Sequence, residues 1–301
     1  MNATGNGRGA LFMVIAMAGF TCNDALVKAV TAEMSVAQIM FVRGLMTTVL
    51  VVVIARWMGV LVPLRVLLQP AVALRVVAEI LASLAYVSAL GAMPLANTAA
   101  ILQALPLAVT LGAALFLGET VGWRRWLAIF AGFVGVLIVI RPGPDGFSPA
   151  AVYVIASVVG AAIRDLCTRR ISDDVPSLAI SVFTAVSITI TAAALIGPMG
   201  GWQPMSAAAF AKLAGASVLL LVGYQTIVLA MRHGEISFIA PFRYTSLLWA
   251  ILIGVFFFAE VPDLWMTVGV SIIVASGLYT FYRENRRKAK AVAQESRPEP
   301  P

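Results

Sequence analysis

The sequence predicts an all-α integral membrane protein, ten transmembrane helices arranged as two inverted five-helix repeats. Three observations carry this prediction. Of 301 residues, 61% are hydrophobic and 12% charged, with a mean hydropathy of +0.96. A soluble domain carries about 25% charged residues, so the surface of this chain is wetted mainly by lipid. Ten stretches are apolar for about the length a bilayer demands. A single ungapped offset of 141 residues then lays rare polar residues of the first half over those of the second.

A hydrocarbon layer about 30 Å thick needs about 20 residues of helix. The spans fall near 9–30, 35–56, 69–92, 95–117, 124–141, 149–171, 176–196, 209–231, 236–258 and 264–282. Turn residues separate them: Met93-Pro94, Gly118-Glu119, Arg141-Pro142-Gly143-Pro144, Gly197-Pro198, His233-Gly234 and Val261-Pro262-Asp263. In lipid each backbone amide must be satisfied within its own segment, so these runs are helices. The alternating pattern of a membrane barrel is absent. Residues 1–8 form an N-terminal tail, 9–141 the first repeat, 149–282 the second and 283–301 a basic tail.

The offset places Asp24 on Asp165, Lys28 on Arg169, Gly19 on Gly160, Gly59 on Gly200, Pro63 on Pro204 and Glu119 on Glu260. Shared hydrophobicity does not align rare polar residues, so the chain reads as a duplication of five spans. Five is odd, and the second copy therefore inserts upside down. Charge placement agrees. With the N-terminus inside, the inner segments hold Arg8, Arg56, Arg65, Arg124, Arg125, Arg169, Arg170, Arg232 and a tail containing Arg283, Arg286, Arg287, Lys288, Lys290 and Arg297. The outer segments hold only Lys28, Arg141 and Lys212. The positive-inside rule thus predicts a bacterial inner (plasma) membrane protein with both termini cytoplasmic.

The net charge of +7 does not indicate nucleic-acid binding, because the cations sit singly in short loops or in the tail, near anionic headgroups. Arg8 and the apolar run after it lack a cleavage site, so they read as a first span and not as a signal peptide. Cys22 and Cys167 lie in apolar segments and make neither a disulfide framework nor a metal spacing. His233 has no cluster of partner ligands. No cofactor and no metal is expected.

Met93-Pro94-Leu95-Ala96-Asn97 through Gly118-Glu119, then Trp123 to Ile140-Arg141-Pro142, and in the second copy Gly234-Glu235-Ile236-Ser237 through Ala259-Glu260, resemble the EamA type of the drug/metabolite transporter superfamily. The resemblance covers nearly the whole chain. It implies ten helices, a central cavity lined mainly by spans 1, 3, 4, 6, 8 and 9, and alternating access, with the last span of each half peripheral. Within the family, Phe20-Thr21-Cys22-Asn23-Asp24-Ala25-Leu26-Val27-Lys28, Ile101-Leu102-Gln103-Ala104-Leu105-Pro106-Leu107 and Arg164-Asp165 resemble the subgroup linked to uptake of riboflavin or S-adenosylmethionine. Other family members export amino acids and related metabolites.

Charged groups inside a bilayer cost several kcal/mol on insertion scales and so face a cavity, a partner or an end. Asp24 and Lys28 stand one turn apart in the favourable acid-before-base order. With Arg43 they form an outer cluster, read either as an ion pair stapling spans 1 and 2 or as a substrate or proton contact. Asp165 and Arg169 repeat the arrangement at the inner end of span 6, next to Arg164. Arg75 and Glu79 share a face of span 3 in the weaker order, which favours a solute-facing role over mutual support. Arg243 follows Pro241 between Phe242 and Tyr244, a setting for an aromatic or anionic solute, or else for a carboxylate partner elsewhere. Tyr86, Asn97, Gln103, Tyr224 and Gln225 add hydrogen-bonding groups, suited to a planar polar solute and equally to interhelical bonds.

Trp57, Trp123, Trp126, Trp202 and Trp265 read as interface anchors. Glu119 and Glu260 read as turn and cap residues. Small residues in span 5 (Ala128, Ala131, Gly132, Gly135) and span 10 (Ser271, Ala275) permit close helix approach, within the chain or across a homodimer seam. The expected partners are therefore a small-molecule substrate and membrane lipid, with proton coupling through Asp24 or Glu79 as a hypothesis. A membrane enzyme would need clustered carboxylates or a nucleophile with its base. The only acidic doublet, Asp173-Asp174, has no second cluster. A scaffold or receptor would not need polar groups on cavity-facing helices, and no Walker motif indicates an ATP-driven pump. The expected function is secondary transport of a small organic metabolite, riboflavin or a similar vitamin first, with S-adenosylmethionine uptake or metabolite export as alternatives.

Overall fold

The computed structural model describes residues 3–60, 62–63, 67, 69–118, 122–141, 149–172, 175–233 and 236–295. Glu119, the Asp173-Asp174 doublet, Arg65, the Pro142–Pro144 turn, Gly234-Glu235 and Arg297 lie outside them. Ten helices among the described residues are long and apolar enough to cross a membrane: Asn6–Lys28, Val36–Trp57, Pro70–Ala92, Leu95–Phe116, Trp123–Ile140, Ala150–Thr168, Ser177–Leu195, Ala207–His233, Ala240–Phe258 and Leu264–Arg283. We number these spans 1 to 10. Their outward faces are lipid surfaces. Leu45, Val49, Val53 and Trp57, one turn apart along span 2, are all exposed, an arrangement that is stable only in an apolar solvent.

Local chemistry sets the ends. Ser35 caps span 2 by accepting the Gln38 N–H, and Pro70 opens span 3 where a missing N–H costs nothing. Asp263 caps span 10 by accepting the Met266 N–H and also binds Arg141. That backbone bond, with the Arg141 guanidinium, holds the Asp263 carboxyl below its usual range.

Spans 4 and 9 depart from the single helices expected over 95–117 and 236–258. Span 4 is Leu95–Leu102 followed, after a turn at Gln103-Ala104, by Leu105–Phe116. Span 9 runs as a short helix Ile236–Ile239, a 3₁₀ turn Ala240–Tyr244 and a helix Thr245–Phe258. Pro106 and Pro241 explain both breaks. Each lacks an N–H and clashes with the carbonyl four residues before it, and the tighter turn relieves the clash.

The packing follows an exchange rule. Span 1 packs on span 8 and span 6 on span 3; span 2 packs on span 7 and span 5 on span 10. Swapping the repeats leaves this set unchanged. Individual atoms obey the same rule. A side chain at Gly19 would meet the Leu219 carbonyl at 3.1 Å and the Gly223 nitrogen at 3.4 Å; one at Gly160 would meet the Ala78 carbonyl and the Ala82 Cβ, both at 3.0 Å. Each of these residues has its counterpart 141 positions away. Thr48 and Thr189, themselves 141 apart, touch hydroxyl to hydroxyl at 3.1 Å, which puts them on the pseudo-two-fold axis. The repeats are inverted: span 1 ends beside Met93, at the end of span 3, whereas span 6 ends beside Arg75, near the start of span 3.

Gly132 and Gly135 of span 5 pack within the chain, against span 10, whereas Ser271 and Ala275 of span 10 are exposed. A side chain at Gly135 would meet the Gly269 carbonyl at 2.9 Å, and one at Gly269 the Gly135 carbonyl at 2.8 Å. A single methyl therefore separates the helices. We predict that Gly135→Ala costs about 1–3 kcal/mol through overpacking, read as a lowered melting temperature in detergent. Gly7→Ala, with nothing within 4 Å of the new methyl, should leave the melt unchanged.

Candidate functional site

Polar side chains from both repeats gather in two linked clusters between the halves. The first lies toward the side on which span 1 ends, called here the Lys28 side. Asn23 Nδ2 donates to Asp24 Oδ1 at 2.9 Å, and the Tyr86 hydroxyl donates to Asp24 Oδ2 at 2.7 Å. Arg43 of span 2 reaches Asn23 Oδ1 at 3.3 Å, while its own carbonyl accepts from Ser217 of span 8. Spans 1, 2, 3 and 8 are thereby joined around one carboxylate.

The second cluster lies toward the side on which span 6 ends, the Thr168 side. Arg164 bridges two acids: Nη1 to Glu79 Oε2 and Nε to Asp165 Oδ1, both at 2.8 Å. Arg75 donates from Nε to the Thr168 hydroxyl at 3.0 Å and from Nη1 to the Thr184 hydroxyl at 2.7 Å. The duplication is visible here too. The residue before each aspartate, Asn23 or Arg164, donates to that aspartate's Oδ1. Where the first repeat has the neutral Asn23 and the cation Arg43, the second has the cation Arg164 and the neutral Thr184.

One expected pairing is replaced by another. Lys28 does not bind Asp24. Its Nζ lies 3.0 Å from Glu260 Oε1 and donates to the carbonyls of Leu90 at 3.0 Å and Met93 at 2.6 Å. Standing at the end of span 1, it meets carbonyls at the end of span 3, where a helix leaves acceptors unpaired. Arg75 and Glu79 do not act as one unit, because Arg164 takes the carboxylate and leaves Arg75 to hydroxyls. Arg243 stands exposed in the 3₁₀ turn, where neighbouring side chains diverge by about a third of a turn. Its guanidinium has no bonded partner among the described residues.

The remaining candidates divide. Gln103, at the break in span 4, donates to the Ser246 hydroxyl at 2.9 Å and to the Arg243 carbonyl at 3.3 Å, so it joins the two helix breaks. Tyr224 is 55% exposed although Phe20 packs edge-on against it with ring centroids 5.2 Å apart. Asn97 is half-buried and Gln225 exposed, and neither side chain has a hydrogen bond among the described residues. The Tyr244 hydroxyl points against Gly277 of span 10. Sequence reasoning missed the bonding roles of Thr168, Thr184 and Ser246, whose hydroxyls give no signal among many similar residues. It treated Glu260 as a turn residue, whereas Glu260 reaches across to the other repeat.

Comparison with known proteins places this geometry. The model of the EamA-like transporter family matches residues 7–141 and again 148–282. The chain is 31% identical over 224 residues, 72% of this chain and 71% of the relative, to a riboflavin transporter of Rhizobium johnstonii. It is 27% identical to the pseudopaline exporter CntI of Pseudomonas aeruginosa strain UCBPP-PA14, over 89% of this chain and 94% of the relative. It is 23% identical to an S-adenosylmethionine uptake transporter of Rickettsia bellii, over 66% and 68%. A solved structure titled only as a crystal structure of a protein shares the fold, with a TM-score of 0.63 and 15% identity over 90% of this chain and 96% of that one. With one family model spanning each five-helix half, the chain belongs to the EamA-like transporter family and is a multi-pass membrane transporter of a small molecule.

Proposed function

We propose that this transporter imports riboflavin or a similar planar, hydrogen-bonding vitamin across the bacterial inner membrane by alternating access. Both termini face the cytoplasm in this reading, so the Lys28 side is outside. The observation that carries it is the polar cleft between inverted repeats, which offers donors and acceptors on opposite helices to a solute held between them. Among the described residues Arg75 is hydrogen-bonded only to neutral hydroxyls, and Arg243 and Tyr224 are exposed. These groups are free to change partners when a solute arrives. Arg164 is committed to two carboxylates and belongs to the frame.

Proton coupling, in this reading, falls to Asp24 before Glu79. Glu79 is ion-paired with Arg164, whereas both Asp24 oxygens accept from neutral donors, so a proton on Asp24 displaces no bonded cation. The similarity to riboflavin transporters supports the choice of cargo. The longer alignment with a pseudopaline exporter keeps export of a metabolite as the second reading.

Uptake into proteoliposomes tests the proposal. Riboflavin uptake should fall about 10–100-fold in Arg75→Gln and in Arg243→Ala, the loss expected for a charge-assisted hydrogen bond worth about 1.5–3 kcal/mol, with unchanged melting temperatures. Asp24→Asn should abolish the response to an imposed proton gradient. Full uptake in both arginine variants overturns the site, and uptake of S-adenosylmethionine but not riboflavin overturns the cargo. Arg164 should behave differently. Arg164→Ala leaves two carboxylates without their cation and should lower stability by about 3 kcal/mol. Combined with Glu79→Gln, it should show a coupling of about 0.5–3 kcal/mol in a double-mutant cycle read by thermal unfolding.

A further inference from the structure

A third cluster lies apart from the cleft, at the end of the molecule where span 1 stops. Lys28 and Glu260 are 12% and 18% exposed in their side chains and 3.0 Å apart. Around them four helices from both repeats converge. Lys28 belongs to span 1 and donates to two carbonyls at the end of span 3. Glu260 follows span 9, and its second oxygen accepts the Leu95 N–H at 2.8 Å, at the first residue of span 4. The Phe258 ring lies 5.5 Å from the ammonium. Both charges are thus satisfied by groups on helices other than their own, spans 3 and 4, which join here at Met93-Pro94-Leu95.

From this cluster to the two helix breaks, spans 4 and 9 are closed against each other. The first helix of span 4, Leu95–Leu102, packs on the second helix of span 9, Thr245–Phe258, and the contact ends at the Gln103–Ser246 bond between the two breaks. Beyond the breaks the pairing changes. The second helix of span 4, Leu105–Phe116, packs on spans 5 and 6, with no comparable packing on the opening segments of span 9 among the described residues. The two broken spans are joined on the Lys28 side and apart on the other.

We propose that Lys28 and Glu260 are the gate residues of the Lys28 side, an ion-pair lock that must open for solute to pass between the cleft and that side. The lock rests on the alternating-access reading but on no particular cargo. Removing either charge leaves the other half-buried and opposite a lost partner, so the closed state loses its advantage over the open one. The two hydrogen bonds from Lys28 to span 3 and the one from Leu95 to Glu260 make the closure a property of four spans together.

Accessibility of a thiol beneath the lock tests this. The full chain would carry Tyr86→Cys, in the cleft below Lys28, with Cys22→Ala and Cys167→Ala removing the native thiols. A membrane-impermeant maleimide is applied to right-side-out or to inverted membrane vesicles, and the labelling rate is measured from each side. With the lock intact, labelling from the Lys28 side should be the slower. Lys28→Met and Glu260→Gln should each raise that rate at least five-fold, and the double variant should raise it no further than the larger single effect. Glu260→Gln keeps an oxygen for the Leu95 N–H, so lost capping is not the cause, and Lys28→Arg should keep the slow rate. Unchanged rates in Lys28→Met and Glu260→Gln, a response to only one of them, effects that multiply in the double variant, or no labelling from either side would overturn the lock. Since no solute is present, failure of riboflavin uptake and failure of the lock are read separately.

Discussion

A charge placed in hydrocarbon must be answered locally, and in this molecule that requirement decides where everything else goes. Packed together, the ten apolar spans leave the space between the repeats for polar side chains. Asp24, Arg43, Arg75, Glu79, Arg164 and Asp165 all bond there, to one another or to hydroxyl and amide groups beside them. None of them holds its place through a bond within its own helix four residues away, the pattern that stabilises charges on soluble helices. Their partners come from other spans or from the adjacent residue. The cleft and the fold are therefore one construction, since a change that separates the spans also strips the charges of their partners.

Much of the architecture could be read from the chain because lipid imposes a length and duplication imposes an offset. Both rules act on every span, so the ten spans and the inverted pairing followed. The kinks did not. Pro106 and Pro241 were visible as residues, yet whether a proline bends a span or ends it depends on what neighbours can do with the freed backbone. Here Gln103 ties the two breaks together by donating to the Arg243 carbonyl in the other repeat, and no local pattern announces a bond between residues 140 apart.

Partners within the site were harder still. Spacing placed Lys28 one turn from Asp24, and that pairing gave way to bonds across spans; Glu79, one turn from Arg75, also bonds across spans, to Arg164. The reason is competition. A carboxylate near a helix end meets not only its own helix but every donor that tertiary packing brings within reach, and Tyr86 and Arg164 arrive on better-placed helices. Glu260 shows the same effect from the other direction. Read alone, it caps a turn; in the bundle it caps the first helix of span 4, in the other repeat, and binds Lys28 of span 1.

The two halves began alike, and what separates them is where each keeps its cations. Backbone contacts obey the exchange rule closely, as Gly19 and Gly160 do, because close approach of helices tolerates little change. Polar positions have drifted around that rigid frame. Asn23 stands opposite Arg164, Arg43 opposite Thr184, and Arg75 opposite Ala216. A symmetric frame can exchange the roles of its halves with little strain, which suits the alternating access proposed for it. Asymmetric charges placed within it give the cleft two unlike ends, one built on Asp24 and the other on Arg75.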